Sequence, residues 1–381
     1  MITIVFTANT SWYLYNFRSS TIKRLIGYGY RVICLSPEDE YSARLVSELG
    51  CQWLHLEMDN KGSNPFKDAA LFFRFVGFFL RLKPSAVFNF TVKNNIYGTW
   101  SARLLGAKVI NNVSGLGTAF INSNATSFVV KMLYRLSQPF ANQVFCQNPE
   151  DYELLVKKGL VSKCKLALLP GSGVNIDRFN PELKLDRSDD NCFHFVYVGR
   201  MLGDKGLKEL IAASHLLVND GHNFRVSLCG FADVDNNTAI CKEDLAKWSE
   251  CNYIQWIGAS NEIEKVYAEA DCVVLPSYRE GMPRSLLEAG AMGLPSVASD
   301  VPGCKHIITD GFNGLLCDAK SIESLYNALT RMLELPLKEY EQMCKQSRTR
   351  IVEGYDEEVV VQEALSALNK LGFHGRTDAN I

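Results

Sequence analysis

Along most of the chain, short apolar runs alternate with segments whose apolar residues recur at helical spacing. Runs at 2–8, 31–35, 86–90, 108–111, 143–147 and 165–169 have the length of strands, and their nearly unbroken apolar character suits a strand covered on both faces. Between them, segments near 19–27, 41–49 and 150–158 carry the period of helices that bury one side. A second alternation runs from 193 to about 333, and a last helical stretch covers 357–371. Strands alternating with helices predict parallel sheets covered by helices, an α/β chain. The turn-rich Pro170-Gly-Ser-Gly173 marks a linker, dividing the chain into domains at 1–170 and 171–356.

Length and composition agree. The 381 residues, 47% hydrophobic and 22% charged, suffice for two buried cores and exclude a disordered chain. The opening segment, Met1-Ile-Thr-Ile-Val-Phe6, has a strand pattern with no basic n-region or cleavage site, so the expected location is the cytoplasm. No two of the twelve cysteines stand at Cys-x2-Cys spacing, and Cys34, Cys146, Cys229 and Cys272 lie inside apolar runs, which predicts reduced core thiols and no zinc site. The six histidines show no metal-binding spacing either. The net charge of −2 conceals a division. Residues 1–180 carry 20 Lys+Arg against 11 Asp+Glu, and the remainder 20 against 31, so the first half is basic and suits an anionic surface or ligand. Nucleic acid is a poor fit, because the basic residues are dispersed and no recognition motif accompanies them.

The most apolar segment, 68–83, is too short and too often interrupted by charge to span a membrane. Lys67, Arg74 and Arg81 stand seven apart and predict one basic stripe along an otherwise apolar helix. Two readings stay open: a helix lying in the headgroup layer with its cations on anionic lipid, or a domain helix with one wet edge.

Chemistry concentrates in Ser277-Tyr-Arg-Glu-Gly-Met-Pro-Arg-Ser-Leu-Leu-Glu-Ala-Gly290. The run 271–276 reads as a buried strand, Pro283 suits a first helical position, and a helix is predicted over 284–292. Its opening amides, near Arg284, Ser285 and Leu286, and its positive dipole end make a seat for a diphosphate. Gly281 permits close backbone approach. Glu280 in the turn can accept from sugar hydroxyls, and Glu288, eight positions on, from both hydroxyls of a ribose. Upstream, the strand 193–198 runs into Gly199-Arg200 and on to Lys205-Gly206, ahead of a helical stretch at 207–217. Arg200 and Lys205 thus stand at the carboxyl end of a strand, where open α/β sheets bind ligands.

Taken together, Val-Gly-Arg200, Lys205-Gly and Glu280-x7-Glu288, with Gly173-Val-Asn-Ile-Asp-Arg-Phe179 and Asp310-Gly-Phe-Asn-Gly-Leu-Leu316, resemble the family 4 glycosyltransferases, over nearly the whole chain. That resemblance implies the GT-B fold, two Rossmann-like domains with parallel sheets facing an interdomain cleft and the final helix packed back on the first domain. It also implies retaining transfer of a sugar from a nucleotide diphosphate. Tyr13-Leu-Tyr-Asn-Phe-Arg18, Ser63-Asn-Pro-Phe66, Gly115-Leu-Gly-Thr-Ala-Phe-Ile121 and Leu275-Pro-Ser-Tyr-Arg-Glu-Gly281 further resemble bacterial enzymes that add an α-linked N-acetylgalactosamine or similar sugar to an undecaprenyl-diphosphate-linked saccharide in N-glycan, O-antigen or capsule assembly.

The implied donor is a UDP-sugar, with Arg200, Lys205 and Glu280 as catalytic residues. Gly199, Gly258, Gly281, Met282, Pro283, Arg284, Ser285, Leu286 and Glu288 complete the donor site. The implied acceptor is a polyprenyl-diphosphate-linked saccharide, met by Thr10, Ser11, Arg18, Lys93, Ser114, Gly115 and Gly117, at the cytoplasmic face of a membrane. Many family members carry a histidine in the loop occupied here by Gly115-Leu-Gly117, and this chain has none there. Asp233-Val-Asp235 fits the Asp-x-Asp pattern that holds a metal in the other main glycosyltransferase fold, but it is short and common, and the expectation is catalysis without metal or other cofactor. Rival readings are a transferase with a soluble acceptor, a sugar-nucleotide epimerase, and a scaffold subunit; retention of Arg200, Lys205, Glu280 and Glu288 together disfavours the last. A nicotinamide dehydrogenase is weaker still, because Thr7-Ala-Asn-Thr-Ser11 stands where a Gly-x-Gly-x-x-Gly would be.

Overall fold

A computed structural model describes residues 1–59, 64–114, 125–184, 192–232, 236 and 238–375, with side chains in the helix that opens at 125 described from 128 onward. The chain divides into two compact units: 1–172 with 357–381, and 173–356.

The first unit contains β1 (Thr3–Thr7), α1 (Ser11–Gly27), β2 (Arg31–Ser36), α2 (Tyr41–Ser47), β3 (Gln52–His55), α3 (Pro65–Leu82), β4 (Ala86–Phe90), α4 (Thr99–Leu104), β5 (Lys108–Val113), α5 (Ala125–Ser137), β6 (Gln143–Cys146), α6 (Pro149–Lys157) and β7 (Leu166–Leu168). Its seven strands run parallel in the order β3-β2-β1-β4-β5-β6-β7. Both sheet faces are covered, which is why the strands read as unbroken apolar runs: Ile4, Phe6, Cys34 and Phe88 join one core and Val5, Ile33, Val87 and Val109 the other.

The second unit contains β8 (Phe193–Val198), α7 (Leu207–Asn219), β9 (Phe224–Cys229), α8 (Lys242–Trp248), β10 (Ile254–Gly258), α9 (Ile263–Ala268), β11 (Cys272–Leu275), α10 (Arg284–Ala291), β12 (Ser296–Ser299), α11 (Cys304–Ile307), β13 (Gly314–Cys317), α12 (Ile322–Leu333) and α13 (Leu337–Gly354). Its six strands are parallel in the order β10-β9-β8-β11-β12-β13. The final helix, α14 (Glu357–Lys370), belongs to the first unit. There Val360, Ala364 and Leu368 pack with Leu14 and Ile22 of α1, and Arg24 Nη2 meets Glu358 Oε2 at 2.8 Å.

Helix α1 begins eight residues before its predicted start at 19, because the Thr10 hydroxyl accepts from the Tyr13 amide at 3.0 Å and so caps it at Ser11. Helix α13 escaped the sequence pattern because few apolar residues mark it; Tyr340, Met343 and Ile351 carry its buried side. Gly290 lets Ile351 approach α10, since a Cβ there would lie 2.4 Å from Ile351 Cγ1.

On α3, Leu71, Phe75 and Phe79 face the core. The basic stripe does not stand free: Lys67 pairs with Asp59 at 2.7 Å, Arg74 pairs with Glu57, and Arg81 lies over the Phe78 ring at 5.4 Å. Beside Lys67 and Arg81 the helix exposes apolar side chains, with Phe66, Phe73 and Leu80 at 87%, 69% and 56% exposure. Among the described residues no helix is long and apolar enough to cross a membrane. None of the twelve cysteines is in a disulfide, and Cys34, Cys146, Cys229 and Cys272 are buried.

Candidate active site

The strand order of the second sheet reverses between β8 and β11, so the loops leaving the carboxyl ends of these neighbours open the crevice where doubly wound sheets take ligands. After β8 the chain passes Gly199 and Arg200 into a single 3₁₀ turn, Gly203–Lys205, and enters α7 at Gly206. Gly206 has φ 74°, and a Cβ there would sit 2.0 Å from the Pro276 carbonyl oxygen at the end of β11. Glycine is therefore what lets the Lys205 turn lie against the β11 loop. The Tyr278 amide donates to the Asp204 carbonyl at 2.9 Å and ties the loops a second time.

These contacts bring together Lys205 and Glu280, which sequence separates by 75 positions. Lys205 Nζ is hydrogen-bonded and ion-paired to Glu280 Oε1, and the two side chains are only 19% and 11% exposed. Arg200 projects into solvent and makes no ion pair among the described residues. Its carbonyl accepts from the Tyr197 hydroxyl at 2.8 Å. Burial first, and then nearby Glu280, holds that phenol well above its ordinary pKa, so it remains a donor. Gly199 makes room for this bond, since a Cβ would come within 2.6 Å of the hydroxyl. A third loop lies against the backbone of Glu280 and Gly281: Gly303 has φ 89°, and a Cβ there would lie 2.5 Å from the Gly281 carbonyl oxygen.

Helix α10 begins at Arg284, as predicted, but Pro283, at φ −72° and ψ 118°, is its cap and not its first helical residue. Leu286 differs from expectation too. It is fully buried and its amide already donates to the Pro283 carbonyl at 3.2 Å, so it offers no amide to a ligand. Met282 is partly buried against the core. Gly258 ends β10, at the outer edge of the sheet and two strands away from β8, with φ 75° and open space where a Cβ would be.

Glu288 is 7% exposed and held from two directions. Arg284 Nε donates to Oε1 at 2.7 Å and Tyr267 Oη to Oε2 at 3.0 Å. A carboxylate has about four lone-pair positions, so each oxygen can still accept from a ligand hydroxyl. Tyr267 is fully buried and packs edge-on against Phe179 at 6.1 Å. Its phenol is held well above the ordinary value, by burial first and then by Glu288. Nothing in the sequence singled out Tyr267; it stands in α9, 21 positions before its partner. Glu280 is paired with Lys205 and Glu288 with Arg284, while Arg200, which makes no ion pair among the described residues, and the positive end of α10 offer a seat for an anion.

The residues predicted for the acceptor fare differently. Thr10 is the cap of α1. Ser11 is fully buried, its hydroxyl 2.8 Å from those of Ser36 and Ser42, so it packs the fold and meets no ligand. Arg18 is 2% exposed and cannot reach a phosphate directly. Lys93 is ion-paired to Asp68 at 2.8 Å, and Tyr97 donates to the other oxygen of that carboxylate at 3.0 Å. Ser114, after β5, is within 2.6 Å of the Tyr13 hydroxyl. Gly115, Gly117, Ser63, Asp233 and Asp235 lie outside the described residues. Among the described residues no cluster of His, Cys, Asp and Glu is arranged to hold a metal.

Two parallel α/β units, the second with basic and acidic residues gathered at its strand-order reversal, have the GT-B architecture. The family pattern described as Glycosyl transferase 4-like matches residues 3–148, and that described as Glycosyl transferases group 1 matches residues 184–350. The chain belongs to these glycosyltransferases. It is 28% identical to the N,N'-diacetylbacillosaminyl-diphospho-undecaprenol alpha-1,3-N-acetylgalactosaminyltransferase of Campylobacter jejuni, over 97% of this chain and 98% of that one. It is 27% identical to the UDP-Gal:alpha-D-GlcNAc-diphosphoundecaprenol alpha-1,3-galactosyltransferase of Escherichia coli, over 69% and 70%. Among solved structures, Anabaena HepE in complex with UDP and glucose shares the fold with a TM-score of 0.78 at 16% identity, over 97% and 100% of the two chains.

Proposed function

We propose that the protein transfers a hexose or N-acetylhexosamine from a UDP-sugar to an undecaprenyl-diphosphate-linked saccharide, with retention at the anomeric carbon and without a metal ion. The observation that carries the reading is the junction of Lys205, Glu280 and the α10 N-terminus at the β8–β11 reversal. The donor diphosphate lies on the α10 terminus and on Arg200, and draws Lys205 from Glu280. Glu280 then accepts from the sugar hydroxyls, while Glu288 accepts from the ribose. The bond from the anomeric carbon to the UDP oxygen breaks as the acceptor oxygen bonds on the same face, and the departing phosphate takes the acceptor proton. Negative charge grows on that phosphate, where Arg200 and Lys205 stabilise it. Glu288 keeps Arg284 as its cationic partner, which supports a binding role over that of a covalent nucleophile.

The names of the two relatives support the lipid-linked acceptor, and HepE, described with UDP and glucose, supports the donor. The exposed Phe66, Phe73 and Leu80 and the basic excess of the first half favour work at an anionic membrane surface, on its cytoplasmic side. The test is transfer by Lys205→Ala and Glu288→Ala. Each should lower kcat/KM by about 100-fold or more through lost charge stabilisation and donor positioning, and near-normal rates in both would overturn the site.

A further inference from the structure

The first unit holds a buried guanidinium that no described residue neutralises. Arg18 is 2% exposed and makes no ion pair among the described residues. Its charge lies over the Phe90 ring at 4.5 Å and the Tyr13 ring at 5.9 Å, which offsets part of the cost of burial. Nε has no partner, and among the described residues the guanidinium's hydrogen bond runs from Nη2 to Tyr13 Oη at 3.3 Å. The cavity beside it, bounded by Phe90, Asn112 and Val360, is about 10 Å³, room for no more than a water. No ligand reaches Arg18 itself.

Valence fixes what happens next. A guanidinium only donates, so the Tyr13 phenol cannot turn its proton toward Arg18. Among the described residues the hydroxyl within reach is Ser114 Oγ, 2.6 Å away; either hydroxyl can donate in that pair, and with Arg18 Nη2 already donating to Tyr13 Oη we assign the phenol as the donor. Having accepted, Ser114 has its own proton to give. Ser114 follows β5 at the carboxyl edge of the first sheet, whose strand order reverses between β1 and β4, with α1 following β1 and Phe90 ending β4.

We propose that Arg18, Tyr13 and Ser114 form a one-way hydrogen-bond relay that presents Ser114 as an oriented donor to a phosphate oxygen of the acceptor's diphosphate. An anion there supplies the counter-charge that Arg18 lacks, which a neutral sugar hydroxyl would not. The inference rests on the function proposed above. Tyr13 and Arg18 are positioning residues, and Ser114 touches the ligand.

The test uses the full chain with a short-prenyl diphosphate-linked N-acetylhexosamine as acceptor, and measures acceptor KM, kcat and the Kd of UDP. Tyr13→Phe keeps the ring against Phe17 and Phe90, and its urea midpoint checks that the fold tolerates the loss of the bond from Arg18. Tyr13→Phe and Ser114→Ala should each raise acceptor KM about tenfold, the loss of one charge-assisted hydrogen bond, with kcat and UDP affinity unchanged. The double variant should be no worse than the weaker single one, and Ser114→Thr should restore the wild-type KM. Unchanged KM in the single variants, or additive losses, would overturn the relay while leaving the proposed function standing. A weakened UDP affinity in place of a raised acceptor KM would assign the relay to the donor's diphosphate and overturn it as stated. Failure of the wild-type protein to use this acceptor would overturn the function and the relay together.

Discussion

Replacing Tyr267 by Phe removes one oxygen from a fully buried ring and tests whether Glu288 is set for a ribose. The lost hydroxyl donates to Glu288 Oε2 at 3.0 Å, on a carboxylate that is itself 7% exposed. A hydrogen bond to a charged group contributes about 1.5–3 kcal/mol. Arg284 still holds Oε1 at 2.7 Å, so the lower end applies, and at about 1.4 kcal/mol per decade the nucleotide should bind roughly tenfold more weakly. The assay is calorimetric titration with UDP and with 2′,3′-dideoxy-UDP. Wild-type protein should favour UDP, Glu288→Ala should erase the preference, and Tyr267→Phe should narrow it. An unchanged UDP affinity with full discrimination in Tyr267→Phe would refute the assignment; no discrimination in the wild type would refute the ribose role of Glu288 itself.

Other outcomes follow from the same geometry. Gly206→Ala places a Cβ 2.0 Å from the Pro276 oxygen in a left-handed backbone, so kcat/KM should fall about 100-fold through displacement of Lys205. Gly203→Ala, whose Cβ would meet its nearest neighbour at 3.4 Å, is the control that should keep activity. His194 is 5% exposed, with Nδ1 2.7 Å from the Glu269 carbonyl and Nε2 2.7 Å from Ser227 Oγ, and burial holds its pKa below the ordinary 6.5. The unfolded chain then takes up the proton first as pH falls below about 6.5, so the His194 contribution to stability is complete above that value and declines beneath it. Urea midpoints of the wild type at pH 7.5 and 5.5 should therefore differ more than those of His194→Gln, and equal differences would exclude the effect.

Legibility in the sequence tracked how local the cause was. Strands buried on both faces, such as β1, β4 and β8, announced themselves by composition, and Glu280, Glu288 and Lys205 by short motifs at strand ends. Helix α13 did not, because most of its residues face solvent and its packing depends on Gly290 of a different helix. The partners of the first-unit cations were hidden for a related reason. Sequence shows that Lys67, Arg74 and Lys93 are basic, but not that Asp59, Glu57 and Asp68 stand beside them in space. Tyr267 was silent because a tyrosine in an apolar helix reads as core, and it becomes a ligand of Glu288 only once α9 and α10 are packed.

The central claim is transfer from a UDP-sugar to a polyprenyl-diphosphate-linked saccharide. The most direct measurement is UDP release by purified protein in EDTA from a panel of UDP-sugars, with and without an undecaprenyl-diphosphate-linked saccharide. The account predicts release from one donor only when the lipid-linked acceptor is present. Release that ignores the acceptor, release that requires added manganese, or none from any donor would contradict it.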